Sequence, residues 1–125
     1  MICRAAESRP AETLALLLEV GFSPNTRSLG ELPLHAAAYH GNAAAVRVLL
    51  GAGAEVDARD ERFESTALTF ATVGSGEQAG KPGDWTGTVR LLIEAGASRD
   101  GAWITGKPPS EEVADLLARY WITAT

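Results

Sequence analysis

Gly80 and Lys81, near the end of the segment SGEQAGKP at 75–82, come closest to a catalytic motif, because a glycine followed by lysine closes the loops that cradle phosphates. The rest of that pattern is missing. Ser75 stands where the earlier glycine belongs, Pro82 replaces the hydroxyl residue expected after the lysine, and no strand precedes the segment. His35 and His40 are five residues apart, roughly 140° around a helix, and cannot share a metal ion as an i, i+4 pair does. Glu111, Glu112 and Asp115 crowd the start of a helical pattern, where carboxylates serve the helix dipole and solubility rather than acid–base work. Cys3 has Arg4 beside it but no histidine nearby in sequence to act as its base. The expectation is a chain without catalytic residues, metal site or cofactor, and not an enzyme.

The bulk properties narrow the remaining classes. With 125 residues, 46% hydrophobic and 22% charged, the chain has the balance of one globular domain or one array, able to bury a core without disulfides. Its net charge of -5, with Lys81 and Lys107 as the only lysines, argues against nonspecific binding to nucleic acid, which needs clustered basic residues. The single cysteine excludes an intrachain disulfide and fits a reducing compartment. The opening MICRAAESRPAE carries no apolar run of the secretory kind, and no segment has the ~18 apolar residues of a membrane span. A cytoplasmic location, with no nucleic acid and no membrane, is therefore expected.

The elements that would position any functional residue repeat along the chain. Apolar residues at i, i+3 and i+4, followed by a helix terminator three residues later, occur as Leu14, Leu17, Leu18 and Gly21; as Val46, Leu49, Leu50 and Gly53; and as Val89, Leu92, Ile93 and Gly96. A fourth copy, Val113, Leu116 and Leu117, has Tyr120 in place of the glycine. The steps from Leu17 to Leu49, Leu92 and Leu116 are 32, 43 and 24 residues, which implies a period near 33 with one insertion and one deletion. After each glycine comes a short extended piece, FSPN, AEVD or ASRD. The unit is a helix, a turn, a helix and a hairpin-like loop. A single such pair cannot bury its apolar face, so copies must stack.

Residues 32–57 hold the most regular copy, LPLHAAAYHGNAAAVRVLLGAGAEVD. Pro33 suits the first turn of a helix, where no amide donor is needed, and Ala36, Ala37 and Ala38 permit close helix approach. Leu32-Pro33-Leu34-His35, Ala37-Ala38, Gly41, Val46, Leu49-Leu50, Gly53-Ala54 and Asp57 together resemble the ankyrin-repeat consensus, with Leu32 in place of its leading threonine. The next copy keeps Thr66, Leu68 and Ala71, but Ala67 and Thr69 replace the proline and histidine. The resemblance implies an all-α fold with short β-hairpin-like loops: an ankyrin-repeat α-solenoid of stacked helix-turn-helix units, about three and a half repeats long. The expected division of the single array 1–125 is an incomplete repeat at 1–24, repeats at 25–57 and 58–100, and a C-terminal capping helix within 101–125. In the family the motif histidine bonds backbone near the hairpin, which implies a structural role for His35.

Two departures from regularity stand out. Residues 74–84 contain four glycines and Pro82 and are expected as an exposed inserted loop, with Asp84 capping the following helix and Trp85 folding back as an anchor. After Asp100, Pro108 and Pro109 block a helix, and Ser110 is a suitable N-cap for one running to about Tyr120. Trp103, Tyr120 and Trp121 suit a cover for the last seam or a partner-binding aromatic patch.

The resemblance implies a protein-binding module that holds another protein on its concave helix face and hairpin tips. Carried onto this sequence, that surface comprises Ser28, Leu29, Glu31, Tyr39 and His40, then Arg62, Phe63 and Ser65. Tyr39, Arg62 and Phe63 are the expected anchors, since aromatic and arginine side chains dominate interfaces. Two alternatives stay open: a small anion or nucleotide bound by the 74–84 loop through Lys81, with Trp85 at its edge, and a structural subunit stacked on a larger assembly through its open N-terminal end.

Overall fold

The computed structural model describes residues 18–19, 21, 23–25, 32–61, 63–78, 80–98 and 109–123, with side chains as far as Arg119 in the last segment. Five helices run through the long segments: α1 (Pro33–Tyr39), α2 (Ala43–Gly51), α3 (Ala67–Glu77), α4 (Trp85–Glu94) and α5 (Glu111–Thr123). No strand occurs among the described residues, so the fold is an all-α stack.

Local chemistry sets the helix limits. Pro33 opens α1 behind an extended Leu32, whose side chain makes no capping bond; Leu32 is buried instead. In α3, Thr66 occupies the equivalent place and its hydroxyl accepts from the Thr69 amide. Gly41, at φ +63°, turns the chain between α1 and α2, and the Asn42 amide reaches back to the Ala37 carbonyl at 2.9 Å. The Asn42 side chain then caps α2 by accepting from the Ala45 amide. Asp84 caps α4 through the Gly87 amide at 2.9 Å, and Ser110 caps α5 through the Val113 amide at 3.3 Å.

The three expected terminators behave alike. Gly21, Gly53 and Gly96 have φ of +107°, +96° and +97°, the left-handed conformation that favours glycine. The residue after Gly53 and Gly96 donates to a helix carbonyl at 3.0 Å, Ala54 to Leu49 and Ala97 to Leu92. Beyond these turns, side chains couple one unit to the next. Asn25 accepts from the Glu55 amide at 3.1 Å, and Asp57 accepts from the Ser98 amide at 2.8 Å. Both steps join an Asn or Asp of one post-glycine segment to an amide of the next, which accounts for the final polar residue in FSPN and AEVD.

Two kinds of seam make the core. α1 packs on α3 through small residues, with Ala36, Ala37, Ala38, Ala67 and Ala71 all buried. α2 packs on α4, and α4 on α5, through Val46, Leu49, Val89, Leu92, Val113, Leu116 and Leu117, also buried. Each buried leucine or valine contributes about 1.5–3 kcal/mol relative to exposure. The small-residue layer brings backbones together, and the branched layer supplies most of the apolar burial.

The exposed loop expected at 74–84 is shorter than its sequence suggests. Gly74 and Ser75 are buried in α3, which continues to Glu77, and only 78–84 connect the helices. Gly74 lies against the Tyr39 carbonyl at the end of α1, so close that a Cβ there would overlap that group. This favourable packing outweighs glycine's helix penalty of about 1 kcal/mol. Cys3 and Trp103 lie outside the described residues, as do the side chains of Tyr120 and Trp121.

Two glycine substitutions should separate packing from propensity. Gly51 is exposed at the end of α2, with open space where a Cβ would stand, so Gly51→Ala should raise stability by about 0.5–1 kcal/mol. Gly74→Ala should lower it by about 1–3 kcal/mol through overpacking. Urea unfolding followed by circular dichroism measures both.

Candidate protein-binding surface

The turn leading into α3 is built by one buried carboxylate. Asp60 accepts from the Phe63 amide at 2.9 Å and from the Ser65 amide at 2.8 Å, while its own amide donates to the Ser65 carbonyl at 3.0 Å. Glu64 is thereby held at φ +52°, the only described residue other than glycine with positive φ. The Arg59 guanidinium donates to the Glu64 carbonyl at 2.9 Å, and the Ser65 hydroxyl donates to the Phe63 carbonyl at 3.2 Å. The hairpin-like tip is thus a side-chain-closed turn, with Phe63 outward and 61% exposed.

His35 fastens this tip to α1. Its Nε2 stands 2.8 Å from the Ser65 carbonyl; since a carbonyl only accepts, Nε2 carries the proton. The ring is fully buried and meets Phe70 edge-on at 4.8 Å between centroids. This agrees with the structural role implied for the motif histidine, and it carries the geometry of α1 directly to the Ser65 backbone.

Phe70 in turn centres an aromatic row. It lies 6.2 Å from Phe63 and 6.5 Å from Tyr39, both edge-on, and Tyr39 meets His40 edge-on at 5.3 Å. Three residues expected at the surface, Tyr39, His40 and Phe63, are therefore joined through a fourth that the sequence reading did not single out. A signal was available: Phe70 occupies the place that Ala36 fills in α1, one residue beyond the histidine position. A large ring where the regular copy has a methyl group must leave the small-residue layer for the rim. Asp60 was also missed, because its role depends on amides three and five residues ahead.

Tyr39 is half-buried and joins the row to the inserted segment. Its hydroxyl donates to Glu77 Oε1 at 2.8 Å and accepts from the Gln78 amide nitrogen at 3.2 Å. Its carbonyl accepts from Trp85 Nε1 at 2.9 Å. The Trp85 ring lies over Gly41 and Gly83, and the Asp84 amide donates to the Gly41 carbonyl at 2.8 Å. Trp85 is thus the anchor expected of it. Lys81 is exposed, and its amide closes a turn onto the Gln78 carbonyl at 3.0 Å. The Lys81 and Asp84 amides are both spent on protein carbonyls rather than gathered around an anion.

Of the remaining surface residues, Ser65 lies at the tip, half-buried. Ser28, Leu29, Glu31 and Arg62 lie outside the described residues. Among the described residues no three His, Cys, Asp or Glu side chains converge on a point that could hold a metal ion, and no helix is long and apolar enough to cross a membrane.

Helix pairs turned by left-handed glycines and coupled from one unit to the next, with a side-chain-closed tip leading into α3, define a helical-repeat solenoid. The ankyrin-repeat family model, of three copies, matches residues 2–100, and the chain belongs to that family. It is 32% identical over 115 residues to zygote-specific protein 3 of Chlamydomonas reinhardtii, an alignment covering 89% of this chain and 31% of that protein. The fold is also similar to the human ASB11 ankyrin repeat domain, with a TM-score of 0.71 and 23% identity over 94% of this chain and 53% of that one. The chain therefore spans about a third of the curated relative and about half of the solved domain. Ankyrin repeats are generally protein–protein interaction modules and typically non-catalytic.

Asp60→Ala removes the acceptor of two tip amides and should cost about 1–3 kcal/mol. Hydrogen exchange at the Phe63 and Ser65 amides should accelerate, while the α2 amides keep their protection relative to global unfolding; unchanged exchange at the tip would contradict the role given to Asp60.

Proposed function

We propose that this chain is a non-catalytic module that binds another protein through the face formed by α1, α3 and the tip at 60–65. The row His40, Tyr39, Phe70 and Phe63 carries the proposal. Aromatic side chains bury large areas at a low cost in conformational entropy and recur as binding hot spots. Here they are held on helices and on a turn closed by Asp60, so little ordering remains to oppose association. The expected anchors Tyr39 and Phe63 belong to this row; Arg62 is retained from its place in the sequence, next to Phe63. The expected division into repeats, the capping role of α5 and a cytoplasmic location belong to the same proposal, supported by the repeat spacing, the packing of α5 on α4 and the single cysteine.

Replacing Tyr39, Arg62 and Phe63 together by alanine should leave the helical circular dichroism in place and abolish capture of the partner from a native lysate, read by mass spectrometry. The single change Phe63→Ala, at an exposed position, should alter stability by less than about 0.5 kcal/mol and weaken the recovered complex by about tenfold or more. Capture at the wild-type level by the triple variant would remove the support for this surface.

A further inference from the structure

The carbonyls at the end of α1 show how the aromatic row is held in place. A helix leaves its last four carbonyls without partners of its own, and in α1 these belong to Ala36, Ala37, Ala38 and Tyr39. The following turn meets three of them, through the amides of His40, Asn42 and Gly41 at 3.3, 2.9 and 3.1 Å. The fourth, on Tyr39, accepts from Trp85 Nε1 at 2.9 Å, a donor 46 residues further along the chain.

Trp85 is confined as well as bonded. Its indole fills the space that a side chain at Gly41 or Gly83 would need, and Gly74 of α3 closes on the same Tyr39 carbonyl. The last peptide of α1 is therefore held between α3 and the first residue of α4. Side chains that form a binding face must be fixed to within about 0.5 Å and 10–20°. The Tyr39 ring, edge-on to both His40 and Phe70, takes its direction from this peptide. We infer that Trp85 is a positioning residue for the aromatic row, setting the row's affinity for a protein partner through the Tyr39 carbonyl. This rests on the row being the binding face. Glu77 and Gln78 hold the Tyr39 hydroxyl, so the side chain is fixed at its far end, and Trp85 fixes the end that joins the helix. Breaking the indole bond removes no ring from the row; it frees the residue at one end, and that freedom must be lost again on binding.

A double-mutant cycle tests this. The probe is the tightest linear decapeptide recovered by display selection on the intact chain, with its affinity read by fluorescence polarisation. Trp85→Phe, which keeps an aromatic ring but lacks the N–H donor, should weaken the peptide by about fivefold. In a Phe63→Ala chain the same change should again cost about fivefold. In a Tyr39→Ala chain it should cost less than about twofold, because the side chain it positions is gone. A purely structural role would cost the same in every background. Gly83→Ala, whose methyl group would drive the indole from its place, should show the same dependence on Tyr39 and serves if Trp85→Phe loses its helical circular dichroism. An equal cost with and without the Tyr39 side chain, or no cost in either, overturns the positioning role; the row still stands if Tyr39→Ala itself weakens the peptide. If the peptide binds Tyr39→Ala and Phe63→Ala chains as it binds the wild type, the row is not the site, and both readings fail.

Discussion

Close approach of α1 and α3 through alanine is the constraint on which the rest of this structure depends. Ala36, Ala37 and Ala38 in one helix and Ala67 and Ala71 in the other are all buried, and residues of this size let backbones come within a distance that leucine would forbid. Gly74 carries the same approach to its limit, against the Tyr39 carbonyl. Branched residues fill the seams between α2, α4 and α5 and also include Leu34 of α1 and Leu68 of α3, but an aromatic residue in the alanine layer of α3 must stand at its rim. Phe70 is that residue, which is why the small-residue layer and the aromatic row are two consequences of one packing rule.

The tip depends on the same geometry through His35. With its ring buried between the helices and its Nε2 proton on the Ser65 carbonyl, the histidine transmits the position of α1 to the turn that precedes α3. Asp60 closes that turn from the other side. A buried carboxylate is costly unless its oxygens are satisfied, and here each oxygen takes a backbone amide. Phe63 is exposed without being loose, since the backbone on both sides of it is tied down. A rigid, exposed aromatic side chain meets a partner at less entropic cost than the same ring on an open loop.

The regular features were legible in the sequence because each has a local cause. Gly21, Gly53 and Gly96 announce left-handed turns, Asp84 and Ser110 announce caps, and the Val and Leu-Leu spacing announces the branched seam. What was not legible has non-local causes. The run Gly74, Ser75, Gly76 reads as a loop by propensity, yet the helix persists because the surface it meets on α1 accepts only a residue without a Cβ. Phe70 looks like one more core residue in a buried segment until the three rings around it are placed. Of the surface expected from the family pattern, Tyr39, His40 and Phe63 share one row, but its centre depended on a substitution relative to the regular copy rather than on the pattern itself.

The inserted segment acquires meaning from that row. Extending α3 by a turn past α1 carries Glu77 and Gln78 to the Tyr39 hydroxyl, and the return through 78–84 brings Trp85 to the Tyr39 carbonyl. A single residue of the proposed binding face is therefore held at both its side chain and its backbone by residues that a shorter connection would not supply. An insertion serving only as a solvated loop would need none of these bonds and would not require Gly41 and Gly83 to make room for an indole ring. Its physical effect is to fix Tyr39. The departure from regular length and the aromatic face then belong to one feature, in which added chain is converted into rigidity at the position where a partner would rest.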